Sequence, residues 1–227
     1  MSIHTFRTGL LAAGLVLASV SIGSAATQPA APAMHDAILQ VEHEWAHITY
    51  QVKDDDQKER MMNTLAEEAA KVVSNFPGRA EPLVWQAIVA SSQARCAGAF
   101  SALGHAKQAR KLLEDAGAID FKTLGGAVPT SLGTIDFMVP GFPLGFGDND
   151  KARQYFKQAM QINPNGLDAN YFYGDFLYHE GEYRLASQVL KHALEAPVDP
   201  ERPVWDSGRR AEAKALLQKV DDELASN

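Results

Sequence analysis
Three apolar residues recur at a fixed interval, and that interval dictates most of what this chain can fold into. Ala152, Phe156 and Ala159 return as Ala186, Leu190 and Ala193, each 34 residues later. Steps of four and three residues put each trio on one side of a helix. Two small side chains around a large one let neighbouring helices approach closely, so residue size is constrained at these positions. Gly174 stands 12 residues before Ala186 and allows a paired helix to come near, while Gly181 and Tyr183 occupy the turn between the two. Pro164 ends the earlier helix where the next pair begins. Ala109, Leu113 and Ala116 form a weaker copy, with Gly104 as its turn. From Ala109 to Ala152 is 43 residues, nine more than the period, which places an insertion in the middle unit at 140–148.

The remaining pattern is helical as well. Ile38, Val41, Trp45, Ile48 and Val52 form one stripe of a helix beginning near His35. Asp56 is positioned to cap a second helix, with Glu59 completing a capping box and Met62, Leu65, Ala69, Val72 and Phe76 as its buried face; Pro77-Gly78 ends it. Pro82 suits a first turn, and Trp85, Ile88, Ser92, Cys96, Ala99 and Leu103 carry a third stripe to Gly104. Further helices are expected at about 105–116, 129–139, 149–163, 167–179, 182–195 and 207–224. The β-branched and aromatic alternation of a half-buried strand never persists for more than a few residues.

The trios, Gly174, Gly181, Tyr183 and Pro164 together resemble the tetratricopeptide repeat family. The likeness is fullest over 149–196 and thinner over 85–139, where Gly133 is the candidate close-approach glycine. It implies an all-α array of about three helical hairpins (core 85–196) with capping helices at 35–76 and 207–224. The Pro140-Gly141-Phe142-Pro143 loop, Gly147-Asp148 and the closing 213–219 segment also look like the periplasmic tetratricopeptide T component of TRAP-type solute transporters. That second likeness implies a helper that docks a solute-binding protein and holds a small apolar or organic-acid ligand. Part of that family is lipid-anchored through a cysteine, which this chain lacks after its apolar run.

Residues 1–26 read as a secretory signal: Arg7 is the charge of a short n-region, 9–22 is apolar, and Ser24-Ala25-Ala26 offers small residues for cleavage after Ala26. The expected destination is the periplasm or exterior, with 27–34 a flexible leader, 35–227 one helical domain and no membrane span in the mature chain. Acidic residues number 28 against 21 Lys and Arg, and the formal charge of −7 leaves no footprint for nucleic acid. A single cysteine, Cys96, excludes an internal disulfide framework and any multi-cysteine zinc site.

If Leu167 opens the last repeat, Asp168, Tyr171, Asp175, Tyr178 and His179 line the concave groove. Aromatic and acidic groups there suit a protein or peptide partner. Phe142 and Phe146, in a loop too rich in Gly and Pro to be helix, serve either as a core plug, the favoured reading, or as a lid over the groove. One catalytic motif occurs. His43-Glu44-Trp45-Ala46-His47 reads H-E-x-x-H, in which His43 and His47 would share zinc with Glu67 while Glu44 acts as base. Against it, the 38–52 stripe turns both histidines away from the core, and no edge strand is available to align a peptide substrate. The reading that results is a non-enzymatic exported scaffold without cofactor, ahead of the transport helper and the zinc peptidase.

Overall fold
The computed structural model describes residues 31–226, and among these it is helical, without a strand. Its helices are α1 (Ala31–Tyr50), α2 (Asp55–Asn75), α3 (Ala80–Cys96), α4 (Ala99–Asp120), α5 (Thr123–Met138), α6 (Asn149–Ile162), α7 (Leu167–His179), α8 (Tyr183–Leu194) and α9 (Pro203–Ser226). No helix among the described residues is long and apolar enough to cross a membrane.

The repeating trios do what their sizes dictate. Ala109, Leu113 and Ala116 on α4, Ala152, Phe156 and Ala159 on α6, and Ala186, Leu190 and Ala193 on α8 are all fully buried. Each trio takes a helix from the preceding odd-numbered partner. A Cβ on Gly174 would lie 2.7 Å from Leu190, and one on Gly133 would lie 3.0 Å from the Phe156 ring, so the two glycines hold the same place in successive hairpins. That equivalence divides the extra nine residues. Ala109 to Gly133 spans 24 residues against 22 from Ala152 to Gly174, and Gly133 to Ala152 spans 19 against 12 from Gly174 to Ala186. Seven extra residues therefore lie in the 139–148 loop and two in the α4–α5 connection. There Leu124, Gly125 and Gly126 all adopt left-handed backbone, with φ of 48°, 63° and 84°. Glycine takes this region freely, whereas Leu124 is held there at a cost of about 1 kcal/mol.

Several local boundaries differ from expectation. α1 starts at Ala31, inside the expected leader, and Met34 is buried in the first core. The cap of α2 is Asp54, whose carboxylate accepts from the Gln57 N–H at 2.7 Å; Asp56 lies inside the helix. The third stripe is two helices. Extended backbone at Ala97 and Gly98 breaks it, so the turn is there and Gly104 sits within α4. The signal segment and residues 27–30 lie outside the described residues.

Each odd-numbered helix packs on the next odd-numbered one, and α9 packs on α1. The five odd helices thus close into a ring, and α2, α4, α6 and α8 each lie against the seam between two of them. The flanking helices cover the ends of the array, and they do so by meeting each other. Tyr50 lies flat on Gly208, where a Cβ would fall 2.6 Å from three ring carbons, and its hydroxyl donates to Glu212 at 3.2 Å. Beside it Arg209 is buried, donating to Asp168 and Glu212 at 2.6 Å each.

Candidate functional site
Closing the ring encloses space. A cavity of about 520 Å³ lies inside it, bounded by α1, α3, α5, α7, α9 and the turns that lead into them, and by none of the outer helices. This volume is in the range of small-ligand sites. The inner faces supply its walls: Ile38 and Trp45 from α1, Trp85 and Ile88 from α3, Ile135 from α5, Phe172 from α7 and Trp205 from α9. All three tryptophans of the chain border this one space. Trp45 and Trp85 meet edge to face at 6.0 Å, and Trp45 donates its indole N–H to Ser92 at 2.8 Å. Ser91, Ser92, Thr130, Ser131 and Thr134 add hydroxyls.

The charged groups on the wall are mostly satisfied. Arg202 pairs with Glu42 at 3.4 Å and Asp199 at 2.8 Å and stacks on Trp205 with its guanidinium 4.1 Å from the ring centre. Arg209 lies over Tyr171 and Phe172 at 4.6 and 4.5 Å. Burial opposes its charge, yet Asp168, Tyr50 and Glu212 outweigh that cost and push its pKa up. Burial also raises the pKa of Glu42, against the pull of Arg202. Two histidines on α1 meet the α8–α9 turn. His43 Nε2 lies 2.6 Å from the Glu201 carbonyl, and His35 faces the Glu201 carboxylate at 3.9 Å.

The residues expected to form one groove are distributed instead over three places. Asp168 borders the cavity. Tyr171 and Asp175 face α9, because the closed ring sets α9 where an open array would leave the groove empty. Burial pushes the Tyr171 hydroxyl up to about 12 and raises Asp175 as well. Tyr178 packs on Tyr183 and on His179, whose ring reaches Phe137 at 5.2 Å, away from the cavity. Of the two loop phenylalanines, Phe146 is half-buried against the second core with the Arg110 guanidinium 4.9 Å from its ring centre. Phe142 is no plug: 94% of it is exposed, and neither ring borders the cavity.

The H-E-x-x-H motif does not assemble a metal centre. His43 is engaged by Glu201, His47 hydrogen-bonds Gln51 at 2.8 Å, and Glu67 is exposed on α2. Among the described residues no three His, Cys, Asp or Glu side chains gather as a metal ion requires.

Reasoning from sequence passed over Arg202, Trp205 and Arg209 because the last helix read as a cap. One signal was present. Gly208 interrupts an otherwise continuous helical run, and an isolated mid-helix glycine often marks close approach of another element.

Two comparisons bear on this architecture. Residues 144–203 match the family model described as tetratricopeptide repeat, which spans the end of the 139–148 loop, α6, α7, α8 and the turn into α9. Comparison with curated proteins returns no match. Repeats of this kind offer extended surfaces for protein interaction. Over its 144–203 segment, with the α6 and α8 trios buried and Gly174 set against Leu190, the chain is similar to the tetratricopeptide repeat family.

Proposed function
We propose that the protein is an exported, non-catalytic scaffold whose working surface is the interior of the ring, where it takes an apolar segment of a protein or peptide partner. The observation that carries this reading is the cavity itself, about 520 Å³ walled by every tryptophan in the chain. Aromatic walls supply contact area at low conformational cost, and the ring holds them in place before anything binds. Export to the periplasm rests on the 1–26 signal. The small size of the cavity supports a second reading, a transport-associated helper holding a small apolar or organic-acid ligand.

Ser131 offers a test because its half-buried side chain borders the cavity from α5. Ser131→Trp fills the space, whereas Tyr178→Ala alters only the outer face of α7. With a panel of apolar peptides titrated against tryptophan emission, binding should fall at least about tenfold in Ser131→Trp and stay unchanged in Tyr178→Ala. The opposite pattern would move the site to the outer face.

A further inference from the structure
The molecule carries one apolar projection and one apolar opening, and they lie at opposite ends of the ring. Among the described residues eight large apolar side chains are exposed, and five of them sit at these two places. Met138, Phe142 and Leu144 belong to the end of α5 and the loop after it, with Phe142 94% and Leu144 76% exposed. Leu124, where α5 begins, borders the cavity, and Val198 directly precedes Asp199, which borders it too. The cavity reaches solvent on that side. His35 and Glu201 lie on its wall, and more than half of each side chain is exposed. Helix α5 thus has the opening at its first turn and the loop at its last.

The loop holds its tip in one shape. The Gly147 N–H donates to the Pro140 carbonyl at 3.0 Å, that of Asp148 to the Asp136 carbonyl at 2.8 Å, and those of Leu144 and Gly145 to the Gly141 carbonyl at 3.1 Å each. Its two arms lie so close that a Cβ on Gly145 would fall inside contact distance of the Pro140 carbonyl oxygen. Phe146 is seated beside Arg110, and Phe142 and Leu144 project. An apolar tip fixed before it meets anything loses little freedom on docking. Residues 139–147 also carry no charge. The opening matches them in that respect, because Glu42, Asp168, Asp199 and Glu201 on its wall are each faced by a cation of the ring itself. An uncharged insert leaves those pairs whole, so no buried charge loses its partner. A Phe-Pro-Leu tip is, moreover, of the size that a cavity of about 520 Å³ takes.

From this self-complementarity we infer that the occupant of the ring is a second copy of this chain, which inserts the Phe142-Pro143-Leu144 tip of its loop at the opening beside Leu124 and Val198. The inference rests on the interior reading above and names its partner. Donor and acceptor surfaces differ, so the contact is head to tail, and a pair of copies is left with one free loop and one free opening from which an open row or a closed ring grows. Sedimentation velocity over a rising protein concentration should show a weight-average mass that climbs past the monomer. Phe142→Asp changes only an exposed tip, and it should weaken association at least about tenfold while leaving the helical circular dichroism unchanged. Ser131→Trp, which fills the cavity, should do the same from the other side. Mixed together, the two variants should form a one-to-one pair that grows no further, because Ser131→Trp still supplies a loop and Phe142→Asp still supplies an opening. A natural protein that stays monomeric throughout overturns the inference, as does association that survives either substitution. If it stays monomeric yet sediments with phosphatidylcholine vesicles through Phe142, the loop serves a bilayer instead. The apolar peptides judge the interior reading separately: their binding without association between copies keeps the opening and removes only this occupant, whereas failure of both means that the two readings fall together.

Discussion
Glu42 shows what closing the ring demands of a single side chain. Its carboxyl lies between α1 and the α8–α9 turn, and burial raises its pKa above 4.5 even though Arg202 stands 3.4 Å away. Desolvation therefore outweighs the ion pair, as is common for buried carboxylates. The sign of the pH effect follows. A raised pKa means that the folded state keeps the proton longer than the unfolded chain, so the stabilisation is complete below the unfolded value and is lost as pH rises through the folded one. Glutamine does not titrate. Thermal melts should therefore show Glu42→Gln gaining on the natural protein as pH rises from about 4, the range of an ordinary glutamate, through the raised folded value. A pH-independent difference would mean that Glu42 ionises as easily in the ring as in the unfolded chain. At this scale the sequence was legible where a residue answers to its own helix. The stripe from Ile38 to Val52 and the three trios are buried as their spacing requires. It was illegible where a residue answers to a distant helix. Asp168 reads as a groove carboxylate, and nothing near it in sequence announces Arg209, 41 residues away.

Among elements, two glycines inside helices separate packing from propensity. Gly104 lies within α4 with open space around its Cα, and Gly208 lies within α9 beneath the Tyr50 ring. Gly104→Ala should stabilise the fold by about 0.5–1 kcal/mol, the intrinsic helix preference of alanine. Gly208→Val should destabilise it by about 1–3 kcal/mol, because the new side chain must displace a ring packed in the seam. Urea denaturation midpoints of the two variants, moving in opposite directions, check both. The same contrast explains where boundaries were misplaced. Gly104 reads as a turn by residue type, yet Ala97 and Gly98 make the break, and Asp54, Asp55 and Asp56 are equivalent caps until the backbone selects one. The 140–148 loop was recognised by composition, but Phe146 is held by Arg110, which the loop itself does not specify.

Across the whole molecule, the hairpins are local and the closure is not. Tyr50 and Glu212 are 162 residues apart, and His43 and Glu201 are 158 apart. Contacts of such separation carry the largest loop-closure cost and are expected after the hairpins have formed. Tyr50→Phe removes a hydrogen bond to a carboxylate, a loss of about 1.5–3 kcal/mol. That loss should appear almost wholly as faster unfolding, with the refolding rate nearly unchanged, in stopped-flow measurements. Equal effects on both rates would place closure early. An open solenoid can gain or lose a unit and remain itself, since each unit touches only its neighbours. Here the first and last helices are each other's neighbours, so inserting or deleting one hairpin would pull Tyr50 from Gly208 and part the wall around the tryptophans. The number of units is thereby fixed by geometry, and substitution inside the ring, rather than growth of the array, is the route by which such a protein can change what it holds.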